Sequence, residues 1–157
     1  MTKKATDTRP IIESIEDLVA AVELSDIEFY ELSARSCAGF GDEVGSDTDT
    51  EPSFELKVLH KEKKYKIRLR VCISTTYGDV VSDAGIVYEL ANDARIPHGI
   101  GLDFANRVGI MALLPYIRES IHSLTSKAFG QGLLMPVMRA GDLQFEADVP
   151  EGDTPSE

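Results

Sequence analysis

The side chains best suited to chemistry are three histidines, His60, His98 and His122, and they lie far apart in the 157-residue chain. None stands in an HxxxH or HExxH spacing or beside a cysteine, so no metal set and no nucleophile–base pair is written locally. His98, within Ile96-Pro97-His98-Gly99-Ile100-Gly101, is the one retained as a candidate. The glycines form no GxxxxGK[ST] loop, no GxGxxG turn after a strand and no GxSxG elbow. Gly99 and Gly101 flank a helix start, where backbone N–H groups can hold an anion, but Asp103 beside them would repel a phosphate. Asp79 and Asp83 sit at a hairpin turn, where aspartate is a good turn residue. Asp47 and Asp49 lie in an acidic run without the glycine and terminal glutamate of a calcium loop. Cys37 and Cys72 fall in strand-like segments without CxxC spacing, as expected of two half-buried, reduced thiols. Nothing assembles a nucleophile, a base and an oxyanion hole, so the expectation is no catalytic residue, no metal, no cofactor and no enzyme.

What remains is a set of apolar side chains and the elements that must place them. Residues 10–23 carry Ile11, Ile12, Ile15, Leu18, Val19 and Val22 at helical spacing, with Pro10 suited to a first helical position. Residues 27–38 alternate, setting Tyr30, Leu32, Ala34 and Ala38 against Ile27, Phe29, Glu31 and Arg35. Three further alternating runs follow at 54–60, 64–76 and 80–91, joined by short turns, as in an antiparallel meander with one buried face. Residues 92–101 read as a loop. Residues 102–129 predict a long helix, with Asp103 as N-cap and a stripe through Phe104, Val108, Met111, Leu114, Ile117, Ile121 and Leu124. Ile110, Leu113 and Tyr116 add a second apolar face, which predicts a subunit interface. Pro115 inside this helix removes a hydrogen bond, predicting a kink near Met111 or a break.

The expected fold class is therefore α+β: a four-stranded antiparallel sheet, a long helix of the C-terminal half packed on it, and a short N-terminal helix. One domain over residues 10–141 is expected, between a disordered N-terminus at 1–9 and a disordered acidic tail at 142–157. The net charge of −11 is unevenly placed: residues 41–53 hold five acids and no base, and residues 142–157 hold six and none. The rest of the chain is balanced. The excess argues against nucleic acid and anionic membranes as partners, although Lys57, Lys61, Lys63, Lys64, Lys66, Arg68 and Arg70 leave room for a basic strand face. The N-terminus lacks the apolar core of a signal peptide, and the longest apolar stretch, Val108 to Leu114, is too short to span a bilayer. A cytoplasmic protein without membrane insertion is expected.

The segment Leu114-Pro115-Tyr116-Ile117-Arg118-Glu119, the serine-containing stretch Ser123 to Ser126, and the apolar Leu133 to Val137 resemble the hallmark of the SecB-like chaperones. The resemblance covers about residues 24–140, including the strand order and the variable crossover at 41–53. The N-terminal helix and PYIRE are similar to the variety associated with toxin–antitoxin systems. The resemblance implies an ATP-independent holdase, a dimer of dimers, that binds unfolded client polypeptides (preproteins or an antitoxin) in apolar grooves, with the translocase motor SecA as a further partner. Chains of this type usually continue past Pro-Val into a second long helix, whereas MRAGDLQFEADVP here is short and poorly periodic.

Holding a client needs solvent-reachable apolar side chains beside a variable loop, and charge that keeps them soluble. Candidate peptide-binding residues are Tyr30, Leu32, Phe40, Phe54, Leu56, Leu133, Leu134 and Met135. Two other readings stand beside this one: a hot-dog-type acyl-thioester binding protein or thioesterase, and a dedicated adaptor of SecB-like fold. The first conflicts with chain order, because its long helix precedes most strands.

Overall fold

The computed structural model describes residues 6–37, 39 and 51–146. Among them the order is helix α1 (Ile15–Ala21), strands β1 (Val22–Ser36), β2 (Glu51–Lys61), β3 (Lys64–Ser74) and β4 (Gly78–Leu90), then helices α2 (His98–Phe104) and α3 (Ile110–Phe129) joined by a π-helical turn, Ala105–Gly109. The strands form one antiparallel sheet in the order β1-β4-β3-β2. The expected α+β architecture is the one observed.

The alternation of β3 is realised residue by residue. Tyr65, Ile67, Leu69, Val71 and Ile73 are buried toward α3, while Lys66, Arg68, Arg70 and Cys72 face the other side. Its register sets Val80, Ser82, Ala84, Ile86 and Tyr88 of β4 on the same helix-facing side. The core lies between this face and Phe104, Ile110, Leu113, Ile117 and Ile121. By length and mean hydropathy the continuous helical run His98–Phe129 is also suited to cross a membrane, but here its apolar stripe is covered by the sheet. A buried hydroxyl pair, Ser82 Oγ and Ser120 Oγ at 2.7 Å, ties α3 to β4.

Several local expectations are corrected. The first helix begins at Ser14, whose hydroxyl accepts the Asp17 N–H at 3.1 Å. Residues 10–12 instead pair their backbone with Arg95, because a serine cap starts the helix better than Pro10 does. The long helical run starts at His98, so Asp103 lies inside it, paired with Arg107 at 3.4 Å. α3 passes through exposed Pro115 without a break. The irregularity falls earlier, at the π-turn, where Gly109 lies so close to the sheet that a Cβ would meet Ile67 Cδ1 at 2.2 Å.

β1 departs most from simple alternation. Its pairing with β4 shifts register between Leu24 and Asp26 and again between Phe29 and Glu31. Each shift inserts one extra residue, Ser25 and then Tyr30. The result puts Leu24, Ile27, Phe29, Leu32 and Ala34 opposite Tyr88, Ile86, Ala84, Ser82 and Val80, all on the helix-facing side. Tyr30 and Glu31 both turn to the open face. The expected grouping of Tyr30 with Leu32 is therefore undone by a bulge.

Candidate functional site

β2 is an edge strand, and its helix-facing side chains Phe54, Leu56 and Val58 are only half-buried. Together with Leu102 and His98 of α2 and Phe145 of the C-terminal segment they line a cleft of about 360 Å3, with Glu55 and Glu146 also lining it. An apolar floor rimmed by acids, alongside a strand that is the sheet's edge among the described residues, suits an extended polypeptide better than a small polar substrate. Among the described residues no three His, Cys, Asp or Glu side chains gather as a metal set.

The proposed site residues separate in space. Phe54 and Leu56 are in the cleft. Leu32 lies on the helix-facing side of β1, at the other edge of the sheet, and Tyr30 on the open face. Phe40 lies outside the described residues. After α3, Leu133 is half-buried and its N–H is held by Thr125 Oγ1 at 2.7 Å, Leu134 is 75% exposed, and Met135 is 5% exposed within the core. Met135 is thus withdrawn from the candidate surface: the chain doubles back over α3 and turns this side chain inward. Val58, Leu102 and Phe145 were missed. Val58 continues the alternation of Phe54 and Leu56, and Phe145 belongs to an alternating segment hidden among acids.

The interface candidates need the same correction. Ile110 and Leu113 are fully buried under the sheet, so the second apolar face is used within the chain; Tyr116 alone of the three is exposed. The apolar surface facing outward is instead the row on β1, where Leu24, Phe29 and Leu32 are each about half exposed at the sheet's other edge. Cys37, just past β1, is exposed and free rather than half-buried.

The open face of the sheet is a lattice of compensated charge. Arg68 donates two hydrogen bonds to Asp83, at 2.8 and 2.7 Å, and Arg70 adds one at 3.0 Å. Arg70 also pairs with Glu31 and Lys66 with Glu28. The Arg68 guanidinium lies 4.1 Å from the centre of the Tyr30 ring, which roofs Gly85. The Tyr30 hydroxyl donates to Glu28, which pushes the phenol up to about 12. The hydrogen bonds from Arg68 hold the Asp83 carboxyl below its ordinary range. Three of the basic residues expected to form a cationic strand face are therefore neutralised in place.

No protein-family model matches the chain. The SecB-like chaperone SmegB of Mycolicibacterium smegmatis is 29% identical over 141 residues, covering 88% of this chain and 90% of that protein. Among solved structures, a SecB-like chaperone of Mycobacterium tuberculosis, in complex with a ChAD peptide from the HigA1 antitoxin, superposes with a TM-score of 0.65 at 17% identity. That match covers 78% of this chain and 94% of the other. A long helix that follows all four strands, as here, also sets aside the hot-dog order. Over most of its length this chain is thus similar to a SecB-like chaperone, and it carries the SecB-like fold.

Proposed function

We propose that the protein is an ATP-independent molecular chaperone that holds extended, apolar segments of unfolded polypeptide. The observation that carries this is the half-exposed row Phe54, Leu56 and Val58 facing a cleft on β2, an edge strand among the described residues. Along a strand edge main-chain hydrogen bonds supply affinity whatever the client's sequence, and pockets for alternate side chains ask here only that those be apolar. Each client side chain buried there contributes roughly 1.5–3 kcal/mol, so several such clefts on one oligomer hold a chain by avidity. The antitoxin peptide bound by the structural neighbour makes an antitoxin the favoured client, with preproteins, SecA and a role in export as the wider alternative. Cytoplasmic residence and assembly as a dimer of dimers belong to the same proposal.

The test is suppression of aggregation of a reduced, unfolded protein at near-stoichiometric ratio. Wild-type protein should delay aggregation, and Phe54→Asp with Leu56→Asp should abolish the delay while the far-UV circular dichroism stays native. A wild type that gives no protection sinks the reading. Exchange of a bound antitoxin peptide by an arbitrary unfolded chain would mark a general holdase; retention would mark a dedicated adaptor.

A further inference from the structure

The C-terminal segment Asp142-Leu143-Gln144-Phe145-Glu146 has no regular secondary structure, yet its burial alternates as in a strand: Leu143 and Phe145 turn in and the other three turn out. Both inward side chains pack against the core, and Phe145 is part of the cleft. The backbone of Phe145 is held by a single side chain. Asn106 Nδ2 donates to the Phe145 carbonyl at 2.8 Å, and Asn106 Oδ1 accepts the Phe145 N–H at 2.8 Å. A carboxamide used at both ends presents one donor and one acceptor side by side, as the next strand of a sheet would. It reads a peptide unit and is indifferent to the side chain that unit carries. Asn106 sits in the π-helical turn, the kind of local irregularity frequent at functional sites.

We propose that Asn106 is a backbone clamp for extended polypeptide, and that the chain's own Leu143–Phe145 stretch is a resident occupant which a client of apolar-x-apolar register must displace. The proposal deepens the chaperone reading and rests on it for the identity of the client. A tethered segment competes at a local concentration of about millimolar for a short linker, which weakens the apparent affinity of a free peptide. The resident segment would keep the cleft covered until a client with a better apolar fit arrives, limiting self-association through an open apolar edge.

The probe is a fluorescein-labelled synthetic peptide of residues 139–149, with a reduced, unfolded protein as a second ligand. Emptying the cleft by Leu143→Ser with Phe145→Ser should tighten binding of the labelled peptide about tenfold. Adding Asn106→Ala should remove most of that gain. On the unaltered protein, hydrogen exchange should show protection of the Phe145 amide that falls as the unfolded protein binds. Unchanged or weaker peptide binding by the emptied variant overturns the proposal, as does Phe145 protection that persists with the unfolded protein bound. The two readings fail separately. Peptide binding that depends on Asn106, without any hold on the unfolded protein, keeps the clamp and sinks the chaperone; normal holding by all variants does the reverse.

Discussion

Asp83 lies at the centre of the open sheet face under two arginines, its side chain fully withdrawn from solvent while those of Arg68 and Arg70 are 39% and 33% exposed. Asp83→Asn keeps the shape but removes the charge those guanidiniums face. The expected loss is about 2 kcal/mol, less than for a fully buried pair because the arginines remain solvated; urea unfolding measures it. The sign with pH follows from the direction of the shift. The folded carboxyl titrates below its ordinary value of 3.8, so its contribution is present above that pH and is lost as pH falls through the folded value. The acid limb of melting temperature against pH, below about pH 4, should therefore be shallower in Asp83→Asn. Glu28 and Glu31 are held low in the same way and should leave part of the slope in place. A variant limb parallel to the wild type would show that Asp83 is not a source of the acid sensitivity. None of this was legible from Asp83 itself, which reads in sequence as an ordinary turn-proximal acid.

Elements were legible wherever one rule governed them. β3 alternates because each residue has one face and one neighbour strand on either side, and the sequence reports that without interruption. β1 breaks its own pattern twice, and only the pairing with β4 reveals that the extra residues are Ser25 and Tyr30. Turn chemistry offers a direct test. Gly78 closes the β3–β4 turn at φ +149, and a Cβ there would stand 1.9 Å from the Arg35 carbonyl oxygen. Gly78→Ala should destabilise the fold by about 2 kcal/mol, since both the dihedral and a backbone atom oppose the methyl group; thermal unfolding checks it. A loss below a few tenths of a kcal/mol would mean that β1 moves aside freely at this end.

For the molecule as a whole, the question is what covers the apolar row on β1. An edge strand with Leu24, Phe29 and Leu32 half exposed is a template for pairing with another chain unless it is already paired. The protein should therefore run as an oligomer in light scattering coupled to size exclusion. Phe29→Lys with Leu32→Lys should shift it toward smaller species at micromolar concentration, whereas changes at Tyr116 should matter less. A stable wild-type monomer would contradict both the edge argument and the dimer-of-dimers proposal. Charge supports the same division of surfaces: the open face is compensated pair by pair, and the acid excess lies in residues 41–53 and toward the C-terminus.

Periodicity and chain order were enough to establish an α+β architecture, the strand count and the helix-facing row of β3, and the motif from Pro115-Tyr116 to Pro136-Val137 carried the resemblance that the similarity to a SecB-like chaperone then upheld, because all of these depend on neighbours in sequence. Three features depended on contacts between distant residues and were invisible until the chain was folded. The bulge at Tyr30 put Tyr30 and Leu32 on opposite faces. Burial in the core consumed Ile110, Leu113 and Met135. A single side chain, Asn106, captured the backbone of Phe145, 39 residues away, and turned part of an apparent acidic tail into one wall of the cleft.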